Sequence, residues 1–196
     1  MKRHLRHSVI FLAALLAAFA SCKKKKVATN TDIPQGNYFS INQFMLDEWN
    51  TYAGEPFMIK KTTKDGDKVD SSLTNSDVIN WGPLLQIFRL TDISDKKFLG
   101  QYKFSQFDDK VDETHNFFYE ADEANEDLFT RKLLITIDAY TAKIKGIYIE
   151  TEKKDLFDDC VQKLYYAPLK TVQIQTEDKP LMGSKTYVVE TYDFLR

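Results

Sequence analysis

Period-two alternation dominates the chain from Gly100 onward. Tyr102 and Phe104 stand between polar neighbours. The stretches HNFFYEA, FTRKLLITID, KIKGIYIETE, CVQKLYYA, LKTVQIQT and KTYVVETYDFL follow. Alternation sends successive side chains to opposite faces of an extended strand. The intervening residues are rich in Asp, Asn, Glu, Lys, Pro and Gly, the usual components of turns. Six or more strands with short connections predict an antiparallel meander.

Before Gly100 the pattern is different. In NYFSINQFMLDEWNTYAG, Ile41, Phe44, Met45, Trp49 and Tyr52 recur at helical spacing, which predicts a helix over 41–53 with that face in the core. Ser40 is suited to cap it, with Gln43 completing a capping box and Phe39 and Phe44 forming a hydrophobic staple. Gly54 ends it. Asp65-Gly66 between strand-like runs predicts a hairpin. NWGPLLQIFRL predicts a short second helix, with Pro83 in its first turn and apolar residues nearly all round, hence well buried. Helices first and strands after predict an α+β fold: two N-terminal helices packed on a curved antiparallel sheet of about six to eight strands. The other sheet face is then either solvated or shaped into a groove.

The first 26 residues follow no globular pattern. Lys2, Arg3 and Arg6 precede an apolar run over residues 8–20. Thirteen residues are too few for a membrane-spanning helix, which needs about 20, and suit the apolar core of a signal peptide. The run ends in Ala18-Phe19-Ala20-Ser21-Cys22, followed by four lysines. This junction resembles the lipobox of bacterial lipoproteins, with Phe19 where Leu is usual. The resemblance implies lipidation of Cys22 and cleavage before it. Its thiolate is the nucleophile that accepts lipid, and several acyl chains on one residue anchor stably. The lysines would add attraction to anionic headgroups. The alternative is an ordinary signal peptide cut at Ala18-x-Ala20. The expected organisation is a signal peptide over 1–21, a lipidated cysteine and basic tether over 22–36, and one domain over 37–196.

Composition narrows the partners. Seven of the 27 Lys and Arg residues lie in the first 26 positions. The remaining 20 face 29 acidic residues, a formal charge of −9. Such a body argues against nucleic acid. With Cys22 lipidated, Cys160 stands alone, so no internal disulfide can form. A small buried strand residue is the expectation for it.

Two further resemblances concern the body. LLITIDAYTAKIKGIYIE is similar to the hairpin of PepSY-type modules, with Asp138, Tyr140 and Thr141 matching and Ala142 in place of glycine. Asp138 and Thr141 can close such a turn through local amides. FSINQF…DEW, INWGP, TDISDKKFLGQY, FTRKL and IKGIYIETEK resemble an uncharacterised family of small Bacteroidota envelope lipoproteins. That resemblance implies an envelope location. Lysines after the cysteine, in place of acidic residues, favour an outer-membrane anchor facing the periplasm.

Candidate chemistry is sparse. DGDKVDSS over 65–72 fails the EF-hand pattern, with Val69 at position 5 and Asp70 at position 6. His115 is the one histidine beyond the signal segment, too few for a zinc site, and a His115–Cys160 dyad would need the fold to unite them. The acidic stretches 107–113 and 120–127 read as loops, although Asp109, Asp112, Glu120 or Glu123 could act in a carboxylate hydrolase. No metal and no cofactor are expected. The aromatic residues suggest a ligand surface, with Tyr119, Tyr148, Tyr165 and Tyr166 foremost. Tyr165 and Tyr166 are adjacent on one strand and must face opposite ways. The expected function is non-catalytic: a lipid-anchored envelope protein binding a small apolar ligand, lipid or protein partner. A glycan hydrolase and a structural adaptor are the alternatives.

Overall fold

Nine strands hydrogen-bond into one antiparallel sheet, and two helices lie against one of its faces. This is a computed structural model, and it describes residues 38–155 and 158–195. The expected signal peptide, Cys22 and the tether lie outside the described residues. Strands β1 (Met58–Asp65) and β2 (Lys68–Asn75) form the first hairpin. Strands β3 (Tyr102–Asp109), β4 (Thr114–Ala121), β5 (Thr130–Asp138), β6 (Ile144–Lys154), β7 (Asp158–Ala167), β8 (Thr171–Pro180) and β9 (Thr186–Leu195) form the meander. The helices are α1 (Ile41–Tyr52) and α2 (Trp81–Arg89). The α+β class holds. The arrangement corrects two expectations: the helices occupy 41–89 with a hairpin between them, and the strands number nine, above the expected six to eight. The meander holds seven strands, and the hairpin expected at Asp65-Gly66 adds β1 and β2 to the same sheet.

The spatial order is β2-β1-β9-β8-β7-β6-β5-β4-β3. Strand β9 lies between β8 and β1, pairing Met58 with Leu195 at one end and Asp65 with Val188 at the other. Strands β2 and β3 are therefore opposite edges, although they are neighbours in sequence. The segment between them, residues 76–101, carries α2 over the sheet. It has eight strand spacings to cross, each about 4.8 Å.

Register alternation sorts the sheet. Ile59, Leu133, Ile135, Ile147, Ile149, Leu164, Val172 and Ile174 share the face under the helices, and all are buried. Ile41 and Met45 of α1 and Phe88 of α2 close the core from above. At about 25 cal/mol per Å² of apolar surface, this layer is the main stabilising term.

The start of α1 is built as its sequence predicts. Ser40 Oγ accepts from Gln43 N, and the Phe39 and Phe44 rings lie 5.9 Å apart. The capping box is only half made, because the Gln43 amide donates to Asp47 instead. Two expectations about the helices fail. Trp49 is 41% exposed, since the C-terminal half of α1 runs past the packed core. Helix α2 buries only Leu84 and Phe88, and Leu90 just beyond it is exposed. One sheet face can cover only one side of a helix.

Candidate functional site: an aromatic cavity at the end of the sheet

The exposed end of α1 leads to the site. A cavity of about 790 Å³ opens between the C-terminal end of α1, the start of α2 and one end of strands β1, β7 and β9. Pockets for small molecules span about 300–1,000 Å³. Both tryptophans of the chain, Trp49 and Trp81, line it, together with Tyr52, Phe57, Tyr166 and Phe194.

The aromatic wall is held rigidly. Trp81 stacks on Phe194 at 5.9 Å, and Phe57 meets Phe194 edge-on at 5.6 Å. Such pairs contribute about 0.5–1.5 kcal/mol each beyond area burial. The Trp81 indole N–H donates to the Ser76 carbonyl at 2.7 Å. Ser76 in turn bridges strand and loop: its hydroxyl donates to the Glu55 carbonyl and accepts from Phe57 N. Tyr166 donates its hydroxyl to Glu48 Oε2 at 2.7 Å. Burial, then the hydrogen bond to Glu48, holds the Tyr166 phenol far above its ordinary pKa, so it remains a donor. The β7–β8 turn completes the rim. Pro168 sits at its second position and Leu169 at its third, with φ +52° and Lys170 N bonded to the Ala167 carbonyl. A turn of this kind usually has glycine where Leu169 stands. Strained backbone of this sort concentrates at ligand sites.

The four tyrosines do not come together. Tyr119 is buried under the helices, with Tyr38 5.3 Å and Phe104 5.0 Å from its ring. Tyr166 lies on the same sheet face and is the one of the four that reaches the cavity. Tyr148 and Tyr165 are cross-strand partners on the opposite face, where no described helix lies. The expected opposition of Tyr165 and Tyr166 holds. Tyr165 lies over Gly146, where a Cβ would sit 3.0 Å from its hydroxyl oxygen. Burial, then the hydrogen bond to Glu150, raises the Tyr148 pKa, and Glu150 also pairs with Lys132 at 3.0 Å. That face is a ladder of tyrosines, amides and ion pairs, a polar counterpart to the cavity. Cys22, the expected lipidation site, lies outside the described residues.

The remaining candidates are dispersed. Asp109 Oδ1 accepts from Val111 N and Asp112 N in the β3–β4 turn. Glu120 is exposed on β4, and Asp122 Oδ1 accepts from Ala124 N in the following turn. His115 pairs with Asp108 at 2.7 Å near the end of β4. Cys160 lies on β7, with β5 and β6 between it and β4, and its register partner Lys153 is far along β6 from Ile144, the residue aligned with His115 through Ile137. The two cannot form a dyad. Among the described residues no group of three or more His, Cys, Asp or Glu is placed to hold a metal ion. No described helix is long and apolar enough to cross a membrane.

The cavity escaped the sequence reading because its walls come from residues 48 to 194. The β1–β9 pairing sets Phe57 and Met58 beside Phe194, and no local signal specifies that pairing. The exposed Trp49, on a stripe whose other members are buried or half-buried, is the clue that a structure was needed to read. Compared with family models, curated proteins and solved structures, the chain shows no match.

Proposed function

We propose that this chain is a lipid-anchored envelope lipoprotein whose folded domain binds a small, largely apolar molecule in the cavity between α1 and α2. The observation that carries the reading is the aromatic lining, into which both tryptophans are placed. A cavity rimmed by Trp49 on a helix face that should have been core is surface kept open for a guest. The role is binding without chemistry. Cys160 has its thiol pushed up to about 11 by burial and by Asp178, which keeps it protonated and a weak nucleophile at neutral pH. The anchor is Cys22, and the lysines after it lie at the membrane surface on the periplasmic side.

Two experiments test this. Protein purified from envelopes without detergent exchange is weighed by native mass spectrometry. A bound small molecule present in the wild type and absent in Trp81→Ala supports the reading. Identical bare masses for both, with no small molecule changing the tryptophan emission, defeat it. Separately, Cys22→Ala should move the protein from the membrane fraction to the soluble periplasm. Retention in the membrane would refute the anchor.

A further inference from the structure

The cavity also has a sign. Among the described residues its walls carry three carboxylate side chains, Glu48, Glu55 and Asp77, and no Lys, Arg or His. This holds although basic residues are common elsewhere in the domain. Glu48 stands against Tyr166, which satisfies one of its oxygens and leaves the other free of that bond. Trp49, Trp81, Tyr52 and Phe57 line the same space, and an aromatic π-face is a second group that attracts cations. A fatty acid or other anion entering here would meet carboxylates, with no basic side chain among the described lining residues. An amine would meet both carboxylate and ring.

Resting on the reading of the cavity as a ligand site, we propose that its ligand is a small organic cation: an ammonium group, primary or alkylated, joined to an apolar body. The ammonium is held at Glu48, with the acids of Glu55 and Asp77 adding attraction near the rim. The apolar body fills the space walled by Trp81, Phe57, Phe194 and Leu85. The ligand is a free small molecule, because a cavity of about 790 Å³ accommodates one whole.

The test uses three probes that differ in the charge of one tetrahedral group: benzyltrimethylammonium, its uncharged carbon analogue neopentylbenzene, and phenylmethanesulfonate. Each is titrated into the protein, followed by tryptophan emission and calorimetry. The cation should bind at least about tenfold more tightly than the neutral probe, and the anion should not bind. Added salt should weaken the cation only. Glu48→Gln keeps an acceptor for Tyr166 and should reduce the cation's preference about threefold or more. Should that variant unfold, Glu55→Gln combined with Asp77→Asn, both at exposed positions, should reduce it as well. Equal binding of cation and neutral probe, or tight binding of the anion, overturns the charge assignment and leaves the cavity a ligand site. Binding of none of the three overturns both.

Discussion

Ala142 holds a backbone conformation that side chains avoid, with φ +56° in the β5–β6 turn. The turn is otherwise well made. Asp138 Oδ1 accepts from Tyr140 N, Thr141 N and the Thr141 hydroxyl. An L-residue in this region loses about 1–2 kcal/mol, and glycine gives back part of the gain through unfolded-state entropy. Ala142→Gly should therefore stabilise the domain by about 0.5–1 kcal/mol, measured by urea unfolding. A loss of stability would show that the turn is not strained. The same local chemistry made this turn legible from Asp138 and Thr141 alone. Cys160 was half legible. Its place on a strand was foreseen, but it is only partly buried, beside Asp178. With its thiol raised to about 11, the folded state favours the protonated form. In a Cys22→Ser background, alkylation of Cys160 by iodoacetamide at pH 8 should be at least about tenfold slower than that of an unperturbed thiol. The rate should climb until pH approaches 11, and a plateau near pH 9 would contradict the assignment.

At the scale of elements, α1 is held by a residue outside its own sequence. Asp92, just after α2, accepts from the Ser40 hydroxyl at 2.7 Å, from Asn42 N at 2.8 Å and from Ser94 N at 2.7 Å. It thus caps the first turn of α1, where the helix dipole favours a negative charge, while Arg89 bonds the Asn42 side chain at 2.7 Å. Burial alone would raise the Asp92 pKa. The bonds from Ser94, Ser40 and Asn42 outweigh it and leave the carboxyl below its ordinary value. The sign follows: the stabilisation is complete above the unfolded value of 3.8 and is lost as pH falls through the lower folded one. Asp92→Asn should cost about 1–3 kcal/mol at neutral pH and flatten the acid limb of the stability profile. An unchanged acid limb would rule Asp92 out as its source. The Ser40 cap and the Phe39–Phe44 staple were readable because they lie within one turn of the helix. The partnership with Asp92 spans fifty residues, so only the folded chain reveals it.

Taken as a whole, the molecule divides its apolar residues between a filled layer and an open cavity, and the two should respond differently to truncation. Met45→Ala removes a fully buried side chain and should cost about 2–5 kcal/mol. Trp49→Ala, one helical turn on, should cost less than about 1 kcal/mol while weakening ligand binding. Chemical denaturation of both variants, with probe titration of the second, checks the contrast; equal large losses would return Trp49 to the core. Helical spacing put both residues on one stripe and could not show where the sheet beneath them ends. The sheet order has a further consequence, for the ribosome. Strand β1 leaves the tunnel more than a hundred residues ahead of β9, its only partner besides β2. Until β9 arrives, one edge of that hairpin exposes unpaired amides able to pair with any passing strand. Phe194, on which Trp81 stacks, arrives at the same late moment. The nascent domain thus has no finished cavity until its sheet is sealed, and a holdase chaperone has most to protect in that interval.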